Sequence, residues 1–135
     1  MKFDCNYHVA SFCREDVGED VGEEECYLVD DSPLGLEGDY TFLYSYPLRS
    51  KAWFGHVITA STSAVDILLL AKADYETIYA AEDAAVGPTD NIPGMLNRQQ
   101  SEGPYGIWGH CLSDLYFEEI DIDTEKKTIS FCIGS

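Results

Sequence analysis

The chain has 135 residues, 45% apolar and 13% aromatic, and its 25 Asp and Glu against eight Lys and Arg give a formal charge of −17. That length predicts a single domain over 1–135 with one real core, and the apolar content excludes a wholly disordered chain. The charge excludes nucleic acid and anionic membranes as partners, because both carry dense negative charge. It favours a basic protein surface, steered in from solution, although net charge also serves solubility or a salty habitat.

Asp4, Asn6 and His8 interrupt the place where a secretory signal needs its apolar stretch. The apolar run Ile67–Ala71, flanked by Asp66 and Lys72, is too short to span a bilayer. A cytoplasmic protein is expected. Cys5, Cys13, Cys26, Cys111 and Cys132 are odd in number and form no C-x-x-C pair. They read as free thiols, mostly buried as small hydrophobes.

In chain order, Phe3, Cys5, Tyr7 and Val9 alternate with polar residues, the pattern of a half-buried strand. Residues 14–25 read REDVGEDVGEEE, with EDVG repeated in tandem and seven carboxylates. With so little to bury, this stretch predicts an exposed, mobile loop. A short apolar run, 26–29, precedes the turn chemistry of DDSPLG. Tyr40, Phe42, Tyr44 and Tyr46 then share one strand face, and Trp53 to Thr59 form the next strand after a hairpin loop.

Ser63, with Asp66 three residues on, resembles a capping box that opens one long helix, about 63–83. Val65, Leu68, Leu69, Tyr75, Ile78 and Tyr79 supply its apolar spacing. Glu82 and Asp83 oppose the dipole at its end, which predicts fraying or an outward turn there. Residues 87–106 are loop-like, with a short helix possible at Asn97–Gln100. A C-terminal β-hairpin closes the chain, with a bulge near Glu118–Glu119 to reconcile Leu115 and Phe117 with Ile120 and Ile122. The expected fold is α+β: a mostly antiparallel sheet of about five to six strands packed on the one helix.

Chemistry is thinly signalled. Cys5 and His8 point to opposite faces of a strand, and Asp121, Asp123 and Glu125 begin an EF-hand pattern that Lys126 and Cys132 break. No metal and no cofactor is expected. GPYGIWG matches no phosphate-binding loop. The candidate catalytic residues are His110, Asp114 and Arg98, near Tyr105 and Cys111, but His110 and Cys111 are adjacent and diverge in extended chain. The aromatic face at 40–46 lacks the basic neighbours of a nucleic-acid platform and is assigned to the core.

The leading expectation is an acidic protein-interaction module, an inhibitor or immunity-type protein that occupies a basic surface such as that of a nuclease. Its contact residues are the acids Glu15, Asp16, Glu19, Asp20, Glu23, Glu24, Asp30, Asp31, Glu118, Asp121 and Asp123, with Tyr105 and Trp108 as anchors. Two alternatives remain: a small enzyme or ligand-binding protein using the 97–114 loop, and a self-associating structural subunit, a homo-oligomer joined by a sheet edge or aromatic patch.

Overall fold

Residues 1–16, 31–86, 104–107 and 112–134 are described by a computed structural model of the chain. The alternating segments become five strands: β1 (Lys2–His8), β2 (Gly38–Tyr44), β3 (Ala52–Ile58), β4 (Tyr116–Asp123) and β5 (Thr128–Gly134). One helix, α1 (Ala64–Val86), lies between β3 and β4 in sequence. The strands form one open sheet in the order β1-β4-β5-β2-β3. The class is α+β, as expected, but the sheet is mixed. β4 pairs antiparallel with β1 and β5, and β2 with β3, whereas β5 and β2 run parallel. Parallel neighbours need a long connection, and here β3, α1 and β4 all intervene.

The capping box forms. The Asp66 N–H donates to Ser63 Oγ at 3.1 Å, and the Ser63 N–H donates to Asp66 Oδ2 at 2.9 Å. Asp is shorter than the usual Glu yet completes the reciprocal pair. From there α1 turns Val65, Ile67, Leu68, Ala71, Tyr75 and Ile78 fully inward. Each large aliphatic side chain buried this way stabilises the fold by about 1.5–3 kcal/mol. The stripe packs on the sheet face formed by Tyr7, Tyr40, Phe42, Tyr44, Phe117, Ile120, Ile122 and Ile129. The aromatic stripe of β2 is therefore core: Tyr44 stacks on Phe131 and meets Tyr75 edge to face. Tyr46, past the strand's end, stands 38% exposed.

The pairing of β4 with β5 shifts register between Phe117 and Glu119, and Leu115, Phe117, Ile120 and Ile122 are all buried. The extra residue absorbs the change of parity seen in the sequence. In the turn after β4, Asp123 Oδ1 accepts the N–H groups of Glu125 and Lys126, both at 3.0 Å. Lys127 follows with φ 57°, and its Nζ donates to the Glu37 carbonyl at 2.8 Å above the Tyr40 ring.

The C-terminal end of α1 departs from expectation. The helix continues to Val86, and Glu82 turns inward rather than out, with no exposed surface. Its carboxylate takes the N–H groups of Tyr105 at 2.9 Å and Gly106 at 3.3 Å. These two backbone donors give the buried carboxyl group hydrogen-bond partners, which reverses the reading from the helix dipole alone. Residues 14–16, expected in a loop, form a single 3-10 turn. The remainder of the acidic segment, the 26–29 run and the proposed helix at Asn97–Gln100 lie outside the described residues. Among the described residues, no helix is long and apolar enough to cross a membrane.

Candidate interaction surface

Alternation along the strands leaves the second face of the sheet to solvent. On β2 and β3 that face carries Asp39, Thr41, Leu43, Trp53, Gly55 and Val57, and Trp53 and Val57 are 59% and 72% exposed. On the other side of the sheet it carries Asp4 from β1 and Glu119, Asp121 and Asp123 from β4. Glu118, the residue at the register shift, is exposed beside them, 3.9 Å from the Cys132 thiol.

Register decides how these charges meet. Lys2 lies opposite Asp121, an attractive pair, but Asp4 lies opposite Glu119. Directly opposed residues place their Cβ atoms about 4.5–5.5 Å apart, and like charges there destabilise a sheet. Two thiols lie close to these carboxylates. Burial pushes the Cys5 thiol up to about 12, with Asp4, Glu118 and Glu119 adding to the rise. Cys132 is exposed on the open face, against the expectation of buried thiols; some desolvation and the same two glutamates still raise it. The Asp123 carboxyl is held below its ordinary value, chiefly by the Lys126 N–H.

Asp31 and Asp66 occupy the helix layer. The Arg14 guanidinium pairs with Asp31 at 2.5 Å and with Asp66 in the first turn of α1. Ser63 Oγ donates to Asp31 Oδ1 at 2.7 Å. The hydrogen bonds from Arg14 and Ser63 lower the Asp31 pKa. At Asp66 burial pushes upward, but the Ser63 N–H and Arg14 outweigh it and the net shift is down. These carboxylates also suit the positive end of the helix dipole. Among the described residues the expected contact acids thus divide, with Glu118, Asp121 and Asp123 on the sheet and Asp31 tied to the helix start. Glu15 is exposed in the turn beside Arg14.

Tyr105 is only partly exposed and packs against the core, with its N–H on Glu82. Asp114 sits in a 3-10 turn just before β4. Arg98, Trp108, His110 and Cys111, together with Glu19, Asp20, Glu23, Glu24 and Asp30, lie outside the described residues. Among the described residues, no group of three or more His, Cys, Asp or Glu converges as a metal site.

The inner face holds a polar cluster that the sequence reading missed. Asp74, buried on α1, accepts the Tyr44 hydroxyl at 2.5 Å through the same oxygen that meets His56 Nε2 at 2.8 Å. Burial, then Asp74, push the Tyr44 hydroxyl far above its ordinary value. Phe42 sits edge-on to the His56 ring. Two signals were present in the sequence: a carboxylate falling among Leu68, Ala71, Tyr75 and Ile78 on the helix stripe, and a histidine on the inward parity of Ala52, Phe54 and Ile58. The cluster lies between helix and sheet and links them by hydrogen bonds. No protein-family model, no curated protein and no solved structure matches the chain.

Proposed function

We propose that this chain is an acidic protein-interaction module of the inhibitor or immunity type, and that it occupies a basic surface of its partner with the acidic half of the open sheet face. The observation that carries the reading is the like-charged pair Asp4–Glu119, set directly across β1 and β4 and extended by Glu118, Asp121 and Asp123. The arrangement costs the isolated fold and is relieved when cationic side chains dock between the carboxylates. Acids at this site serve a partner better than they serve the sheet. A basic groove shaped for phosphates, such as that of a nuclease, has the complementary charge.

The test is affinity capture from an extract of the native host with the wild-type chain and with a triple variant, Asp4→Lys, Glu119→Lys and Asp121→Lys. The reading expects a basic protein that the wild type retains at low salt, releases as salt rises and the variant fails to hold. A variant that folds and captures the same proteins as the wild type overturns it.

A further inference from the structure

The two edges of the sheet are built differently. β1 carries Lys2 and Asp4 and has a register shift between Asp4 and Tyr7. Charges and irregular register are the usual protections of an exposed edge. β3, reading AWFGHVI, has no Lys, Arg, Asp, Glu or Pro, and it pairs with β2 in unbroken register over all seven residues. Among the described residues its outer side has no strand neighbour. An unbroken, uncharged edge with Trp53 and Val57 exposed is a template for another strand.

We infer that the occupant is β3 of a second copy, paired antiparallel about a two-fold axis at Gly55. That register is self-complementary. Trp53 of each copy falls opposite Val57 of the other on the open face, an aromatic on a β-branched residue, which is a favourable cross-strand pair. Both large exposed side chains of the strand are covered by one operation, and Gly55 meets its own counterpart with no side chain between them. On the inner face the rows are Phe54 with His56 and Ala52 with Ile58. A two-fold contact of this kind uses the same patch on both copies and closes at a dimer.

Charge also selects this edge for a molecule of −17. The acid-bearing β4 lies three strands away from β3. At about 4.8 Å per strand that is roughly 14 Å, beyond the screening length of about 8 Å at physiological salt. The nearer acids are Asp74, bonded to His56 of β3 on the covered face, and Asp39, opposite Val57 on β2. Lys51 precedes β3 on the same parity as Trp53, so the two-fold brings it opposite Thr59 of the other copy, one row from Asp39. Two strands, about 10 Å, separate this Lys51 from that Asp39, so the attraction is weak, and symmetry makes it twice.

Sedimentation velocity over a range of protein concentrations tests the dimer, with Trp53→Lys and Val57→Lys as edge-blocking variants and Asn6→Lys on β1 as the control. The expected result is a concentration-dependent doubling of mass in the wild type and the control, and monomers in both edge variants. Circular dichroism identifies a variant that fails to fold. Lys51→Glu, an exposed change outside the strand, then replaces it and is expected to weaken the dimer at least several-fold. Added salt should strengthen the self-association, since it screens the repulsion between two acidic copies, whereas it weakens capture of a basic partner. A wild type that stays monomeric to millimolar concentration, or a dimer indifferent to Trp53, Val57 and Lys51, overturns the inference. Either result leaves the acidic-face reading standing, because Trp53, Val57 and Lys51 lie outside β1 and β4.

Discussion

Asp4 and Glu119 face each other across the pairing of β1 with β4, two carboxylates in register on a solvent-exposed sheet face. Their repulsion is a stability cost that a neutral residue removes. Glu119→Gln is expected to stabilise the fold by about 0.2–1 kcal/mol, a rise of up to a few degrees in Tm. Thermal unfolding at low salt checks it, and the gain should shrink in 1 M salt, where screening acts over only about 3 Å. A Glu119→Gln chain that melts below the wild type would show that Glu119 makes a compensating contact.

Asp74 joins helix to sheet through one oxygen shared by Tyr44 and His56. Asp74→Ala strands a buried hydroxyl and opens a polar gap, which should cost about 1–3 kcal/mol or more. Tyr44→Phe leaves the carboxylate its histidine and should cost less. Chemical denaturation of the two single variants and the double variant gives a cycle. A coupling of at least about 0.5 kcal/mol is expected for residues in contact, and additive effects would rule out a shared network.

Glu82 holds the 104–107 segment through its Tyr105 and Gly106 N–H groups. In Glu82→Ala those two amides lose their acceptor, and their hydrogen exchange should accelerate while the β1–β4 amides keep wild-type protection. Equal acceleration throughout would mean that Glu82 acts on global stability instead.

Arg14 ties Asp31 to the start of α1. Both of its carboxylate partners have folded pKa values below the ordinary one. Their contribution is therefore present in full above the unfolded pKa, about 3.9, and is lost as pH falls through the lower folded values. Wild-type stability should decline below about pH 4 more steeply than that of Arg14→Gln, measured as the denaturant midpoint from pH 6 to 2.5. Parallel curves would count against the linkage. Screening at this exposed site keeps the effect small.

Local chemistry made much of the fold legible. Ser63 and Asp66 announce the helix because capping is decided within four residues. Tyr40, Phe42 and Tyr44 announce a buried strand face because alternation maps directly onto the two sides of a sheet. The change of parity between Phe117 and Ile120 was enough to place the bulge. Partner strands were not legible. Nothing in β5 states that its neighbour is β2, some eighty residues earlier, or that the two run parallel. Glu82 failed for a related reason: the helix dipole argues for exposure, but the backbone donors at Tyr105 and Gly106 come from a segment that only the tertiary structure brings near. At the candidate surface the sequence showed Glu118, Asp121 and Asp123 but not Asp4 or Glu119, whose roles depend on cross-strand register.

β5 occupies the middle of the sheet, between β4 and β2, yet it comes last of the five strands along the chain. Until Thr128–Gly134 is in place, the other four described strands pair as two separate ribbons, β1 with β4 and β2 with β3. During synthesis the pairing edge of β2 therefore stays open until the last of these strands joins the two ribbons. Non-local closure of this kind is the slow part of folding, because the loop entropy is lost before the contacts form.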